Sequence, residues 1–264
     1  MKILFDELNS SQVGSDLEYF DFHKRRFERF ENFLKSQDFQ RKNELKVLEI
    51  GSHYLHTSIL LSNHGFSVDA MDVSEFWKLD FVQARANKYG LNPIIENDLA
   101  SLESLKEIDD KYDLVVFTEI LEHITFNPVS FWKQIHRVMK TNGIIYISTP
   151  NSFALPNLIR NLKNALLLKS IGISVDDILS KVTYGHHWKE YSKKEILEYF
   201  ERLSPDFEVK ISTYSYKEYE LKPPFFFFKI LSRIGNASGF FADDLEVIVN
   251  LRSKNKWVAQ PPEY

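Results

Sequence analysis

Hydrophobic and polar positions recur along this chain in two rhythms. Between Asp16 and Lys35, the residues Phe20, Phe27, Phe30, Phe33 and Leu34 fall near helical spacing. Lys24, Arg25 and Arg26 are assigned to the wet side, so the pattern predicts an amphipathic helix. From residue 45 onward, short apolar runs alternate with amphipathic stretches. Strands are predicted over 45–50, 67–72, 93–96, 113–118 and 143–148, and helices near 57–64, 75–88, 99–106 and 129–139. Alternation of this kind, with short turns, argues for right-handed crossovers and a mostly parallel sheet covered on both faces. After residue 150 the rhythm breaks. A helix is predicted over 155–168, then a polar stretch, then a helix over 192–202 opened by a capping box of Ser192 and Glu195. Strands over 207–213 and 245–252 flank an irregular aromatic segment, 215–242.

Composition narrows the classes. The chain has 264 residues, 44% hydrophobic and 27% charged, which is enough to bury a sizeable core. A formal net charge of −4 provides no basic surface for nucleic acid, so no nucleic-acid partner is expected. Cysteine is absent, which excludes disulfides, thiolate zinc sites and a cysteine nucleophile. The N-terminal MKILFDELNSSQ has too short an apolar run and too early an acid for a signal peptide. No stretch approaches the roughly 18 uncharged apolar residues of a spanning helix. A cytoplasmic protein is expected.

Candidate chemistry starts at "LEIGSHYLHTS", residues 48–58. The turn after the first strand of an open parallel sheet is a nucleotide site, because backbone N–H groups and a helix N-terminus favour an anion there. A dinucleotide fingerprint G-x-G-x-x-G would need glycine at 51, 53 and 56, and only Gly51 matches. The pattern E/D-x-G-x-G-x-G matches Glu49 and Gly51 but meets His53 and Leu55. Downstream, "FSVDAMDVS" ends its strand in Asp72, roughly 20 residues past the loop, where an acid can accept both hydrogen bonds of a ribose diol. "NDLASL", "YDLVVFTEILEHI" and "VMKTNGIIYISTPN" follow in order, and "HHWKEYSKKEILEYF" lies beyond them. These segments resemble the class I S-adenosylmethionine-dependent methyltransferases, in particular the small-molecule branch that includes quinone-biosynthesis O-methyltransferases.

The resemblance implies an α/β fold: a Rossmann-like, mostly parallel seven-stranded sheet flanked by helices, with a C-terminal antiparallel strand and helical cap insertions. One domain, 1–264, is expected. It comprises an N-terminal cap helix (1–44), a cofactor-binding core (45–150), a cap insertion (151–191) and a C-terminal part (192–264). The implied cofactor is S-adenosyl-L-methionine, leaving as S-adenosyl-L-homocysteine. Glu49, Gly51 and Ser52 would shape the loop around its amino-acid end. Asp72 would hold the ribose hydroxyls, with Val73 near the adenine. Asp98 would take the adenine amino group, the Leu99 N–H a ring nitrogen, and Thr118 and Glu119 would approach the methionine portion. Plainer readings stand beside these: Asp98 as the cap of a helix beginning at Leu99, and Asp72 as a turn residue.

A side chain forced into left-handed geometry costs roughly 1–2 kcal/mol, so a working loop is expected to follow a different path at His53 and Leu55. His53 is expected to bond the cofactor's carboxylate or line the acceptor side; the alternative is a surface histidine on a relaxed turn. His56 is expected to be structural, and no metal site is predicted from the H-Y-L-H spacing. For a hydroxyl acceptor the candidate bases are His123, His186 and His187, with Tyr184 as an orienting group. The acceptor is expected to be a small molecule or a glycan- or lipid-linked intermediate.

Two additions carry unusual composition. "KPPFFFFKILSRIGNASGFF" cannot turn all four consecutive phenylalanines to one side, and "LPNLIRNLKNALLLKSIGI" sets Arg160, Lys163 and Lys169 beside leucines. A lid over the acceptor, a packing or homodimer surface, and peripheral membrane contact through 157–171 or 223–241 all stay open. Two rivals to the enzyme reading also stay open: a non-catalytic nucleoside- or partner-binding protein on the same fold, and a nucleotide-dependent oxidoreductase, which the loop spacing disfavours.

Overall fold

A computed structural model describes residues 1–11, 13–37, 39, 42–169, 172–180, 182, 185–215 and 225–262. Tyr184 and the start of the aromatic segment, 216–224, lie outside the described residues.

Among the described residues, seven strands form one sheet: β1 (Lys46–Ile50), β2 (Ser67–Asp72), β3 (Asn92–Ile95), β4 (Tyr112–Thr118), β5 (Met139–Pro150), β6 (Phe207–Tyr214) and β7 (Asp244–Leu251). Their order is β3-β2-β1-β4-β5-β7-β6. The first five run parallel, and β7 is antiparallel to both β5 and β6. The Rossmann-like sheet read from the sequence is the one observed.

Side chains of a strand alternate between faces, and both faces are apolar here. Leu48, Ile50, Val115, Phe117, Ile145 and Ile147 belong to one buried cluster. Val47, Val68, Ala70, Leu114, Val116 and Tyr146 belong to the other. Helix α6 (Val129–Val138) and α9 (Lys193–Leu203) cover the first face, and the Ser192–Glu195 capping box opens α9 as expected. The second face is covered by α1 (Lys2–Ser11), α2 (Gly14–Ser36), α3 (His56–Asn63) and α5 (Asp80–Tyr89).

Several elements depart from the sequence pattern, each for a local reason. Helix α1 escapes a periodicity search because it buries only Leu4 and Leu8 deeply among its apolar residues. The helix expected over 75–88 is two, α4 (Ser74–Trp77) and α5, because the chain is extended at Leu79. Gly90 then ends α5 in the left-handed region, φ 62°, where glycine carries no Cβ penalty. The helix expected over 99–106 shrinks to one 3-10 turn, Glu103–Leu105, because the buried Leu102 is left-handed at φ 44°. Helix α7 (Leu155–Leu166) and a short α8 (Val175–Ser180) follow β5, and residues 225–238, read as irregular, form helix α10 (Phe225–Ser238). Arg26, assigned to the wet side of α2, is buried at 4% exposure.

The strand order reverses between β1 and β4. Ligands of open parallel sheets sit beyond the carboxyl ends of the strands at such a switch point.

Candidate active site

The carboxyl ends of β1, β2 and β4 open into a cavity of about 330 Å³, within the range of small-molecule sites. Gly51 leaves β1 at φ 77°, a left-handed conformation that favours glycine, and a Cβ there would lie 2.3 Å from Ile120 Cδ1 and push that side chain aside. His53 and Leu55 adopt φ 46° and 67°, the left-handed conformations that glycines supply without strain. Two sets of contacts offset that strain. Leu55 is fully buried in the core under α2 and α3. The His53 ring lies 4.2 Å from Tyr19, 3.8 Å from Tyr54 and 4.3 Å from Phe76, between centroids. His53 lines the cavity, and its Nδ1 is buried with no hydrogen-bond partner. Desolvation, with His56 and Arg26 adding positive charge nearby, holds its pKa down to about 3, so the ring is neutral.

The loop is fastened from both sides. Gly51 and Ser52 donate their N–H groups to Met71 O at 2.9 and 3.0 Å, and His53 N–H donates to Asp72 Oδ2 at 2.6 Å. Asp72 also accepts from Val73 N–H at 2.7 Å, and both residues line the cavity. Desolvation raises the Asp72 carboxyl to about 6 against those two hydrogen bonds. Arg85 donates to Tyr54 O at 2.9 Å and pairs with the buried Asp16 of α2. His56 sits beside the same Asp16, Nε2 to Oδ1 at 3.1 Å, a structural position inside the protein.

Glu49, at 2% exposure, accepts from Ser58 Oγ, and burial pushes its carboxyl up to about 8. It borders a small polar recess with Arg26, Tyr19, Ser52, His53 and Thr118. Ser52 Oγ there is buried with no hydrogen-bond partner. Of the acids after β3, Glu96 lines the cavity and Asp98 does not; Leu99 does. Asp98 is exposed, and its Oδ1 accepts from Ala100 N–H at 3.0 Å in a local turn. Glu96 accepts from Ser104 N–H and Oγ, at 3.0 and 2.9 Å. One residue separates these acids in sequence, and the difference in burial that sets them apart leaves no mark there.

Thr118, Glu119 and His123 line the cavity at the mouth of β4. Glu119 accepts from Ser148 Oγ at 2.9 Å. His123 Nδ1 lies 2.8 Å from the carbonyl oxygen of His186. A carbonyl can only accept, so the hydrogen sits on Nδ1 and Nε2 keeps a free lone pair. Burial, with His187 close by, lowers the His123 pKa. The His186 side chain is buried and does not line the cavity; its contribution here is the carbonyl. The His187 ring stands 4.9 Å from that of His123, and its Nδ1 is 3.1 Å from Glu190 Oε1.

One grouping is invisible in the spacing of the sequence. Glu122, His123 and His187 bring one ligand-type atom each within 4.8 Å of one another. Glu122 is fully buried; its Oε2 accepts from Thr149 Oγ1 at 2.9 Å while its Oε1 has no hydrogen-bond partner. Tyr19, Phe76, Ile120, Ile124 and Phe126 complete the apolar wall of the cavity. Tyr19 and Arg26 are seven positions apart on α2, and that helical spacing, extended to Phe30, is the signal that could have placed both on the buried side.

Residues 19–204 match the profile of a family described as a methyltransferase domain. The chain is 30% identical over 162 residues to a ubiquinone biosynthesis O-methyltransferase of Pelagibacter ubique, covering 61% of this chain and 60% of that protein. A Haloferax volcanii methyltransferase solved with the Trm112 methyltransferase activator superposes with a TM-score of 0.59 at 14% identity, covering 88% of this chain and 92% of that one. An S-adenosylmethionine-dependent methyltransferase of Mesorhizobium loti does so at 0.53 and 15%, covering 83% and 96%. The chain spans about three fifths of the length of the curated relatives it matches. Matched by the family over more than half its length, the chain belongs to the methyltransferase-domain family.

Proposed function

We propose that the chain methylates a hydroxyl oxygen of a small molecule or of a glycan- or lipid-linked intermediate, with His123 as the base. The observation that carries this reading is the His123–His186 hydrogen bond, which leaves a basic Nε2 on a residue lining the cavity. The cofactor of this reading is S-adenosylmethionine, which when bound would supply an electrophilic methyl group on a positively charged sulfur. The residues present suit it: Ser52 Oγ and His53 Nδ1 are buried polar atoms without partners beside the loop. Asp72 would accept from the ribose hydroxyls, Val73 and Leu99 would flank the base, and Arg26 would face the carboxylate of the amino-acid end. The apolar wall of Ile120, Ile124 and Phe126 excludes water from the acceptor. His123 Nε2 takes the hydroxyl proton as the oxygen gains the methyl group, then returns that proton to solvent.

The test is incubation with 13C-methyl-labelled S-adenosylmethionine and a small-molecule extract. NMR of the products reads whether the labelled methyl sits on oxygen, nitrogen or carbon. His123→Ala is expected to lose on the order of 10²–10⁴-fold in rate while still binding the cofactor. A fully active variant would remove the base, and a label only on nitrogen or carbon would remove the hydroxyl acceptor.

The unpartnered Oε1 of Glu122 supports a second reading of the proton's removal. A divalent cation held by Glu122, His123 and His187 would bind the acceptor oxygen and lower its pKa. Activity abolished by a chelator and restored by a divalent cation favours this reading; indifference to both excludes it.

A further inference from the structure

Helix α10 turns a stripe of large apolar residues to solvent. Ser232, Gly235 and Asn236 lie on its inward side. Ser232, at 4% exposure, and Asn236 bond Asp243, and Gly235 lies so close to Leu155 and Phe241 O that a Cβ would overlap the latter. Part of its apolar surface faces outward: Phe226 at 50%, Phe227 at 55% and Ile234 at 56%, with Ile230 between them, while Phe228 and Leu231 are half-buried. Helix α7 packs against α10 and repeats the arrangement. Ile159, Leu162 and Leu166 form one exposed stripe at helical spacing, and Leu167 and Leu168 extend it. An amphipathic helix normally turns such a stripe into the core.

The charge of the pair matches the exposed stripe. The α7 segment through Lys169 carries Arg160, Lys163 and Lys169, and α10 carries Lys229 and Arg233. Neither stretch contains an aspartate or glutamate, in a chain with 37 acidic and 33 basic residues. Cations that flank exposed leucine and phenylalanine reach lipid phosphates while their stems lie along apolar surface. The neighbouring α8 holds Asp176 and Asp177 and does not share this character. Among the described residues, no helix is long and apolar enough to cross a membrane.

We propose that α7 and α10 together form a docking face for an anionic phospholipid surface, with the helices lying in its headgroup layer. Helix α7 leaves the sheet just past Pro150 of β5, and β7 returns from α10 at Asp244, paired with Pro150. The face therefore belongs to the end of the sheet where the cavity opens. Docking would bring the cavity towards the lipid.

Flotation of the full chain with phosphatidylcholine vesicles, with and without phosphatidylglycerol, tests this. The chain is expected to float with the anionic vesicles, and less so at high salt. Each basic residue near such a surface is worth about fivefold in binding. Lys229→Glu with Arg233→Glu should therefore lower binding at least ~30-fold, and Phe226→Ser with Phe227→Ser should abolish it with the melting temperature retained, since both rings are exposed. Folded wild-type chain that fails to float would overturn the proposal, as would flotation untouched by both variants. A dimer in light scattering that the phenylalanine variant splits, and that does not float, would assign the face to a second copy instead.

Discussion

The backbone N–H of His53 donates to Asp72 Oδ2 at 2.6 Å. This bond joins the loop after β1 to the acid that ends β2, and holds His53 in a conformation that favours glycine. At His53 and Leu55, where the pattern calls for glycine, the loop is left-handed.

Restoring those glycines should therefore harm the protein. Leu55→Gly removes about 1–2 kcal/mol of left-handed strain but empties a fully buried site, where leucine truncation costs about 2–5 kcal/mol. A net loss of roughly 2–3 kcal/mol in denaturant unfolding is expected. His53→Gly separates Tyr19 from Phe76 by removing ring contacts worth about 0.5–1.5 kcal/mol each. Weaker cofactor binding, by several-fold, should follow; unchanged or tighter binding would show that the ring contributes nothing to the cavity.

Cofactor affinity should depend on pH through Asp72, whose pKa is raised to about 6. Below that value the carboxyl carries a proton and one oxygen becomes a donor. Above it both oxygens accept, as a ribose diol requires. Affinity for S-adenosylhomocysteine is thus expected to rise as pH rises through about 6 and then level off. Asp72→Asn should bind weakly and flatten the profile. A profile that is already flat in the wild type would separate Asp72 from the ribose.

The Asp16–Arg85 pair should be a keystone of stability. Burial alone would raise the Asp16 carboxyl, but hydrogen bonds from His56 and Arg85 outweigh it and hold the carboxyl well below its ordinary value. A carboxyl depressed in the folded state stabilises above its unfolded pKa, and that stability is lost as pH falls through the folded value. Arg85→Met leaves a buried carboxylate with one partner fewer. It should cost about 3–5 kcal/mol and move acid unfolding, followed by circular dichroism, to higher pH. An unmoved acid transition would contradict this.

Much of this was legible in the chain because burial on both faces leaves continuous apolar runs. Val47–Leu48, Ala70–Met71 and Leu114–Phe117 declare their strands, and an acid at the end of β2 declares itself by position. What stayed hidden depends on partners distant in sequence. Arg26 looks like a solvated cation beside Lys24 and Arg25 until the recess at Glu49 is formed. Residues 225–238 read as irregular in the sequence because the apolar residues of α10 fall on both its inward and its outward side. His53 looked like a broken motif because the rings of Tyr19 and Phe76 that surround it come from α2 and α4.

Isothermal titration of the folded chain with S-adenosylmethionine and S-adenosylhomocysteine, beside NADH as a control, tests the central claim most directly. The left-handed loop at His53 and Leu55, fastened to Asp72, predicts micromolar binding of both and no heat with NADH. Heat with neither, from protein that melts cooperatively, would mean that the loop keeps the shape of a cofactor site without its function.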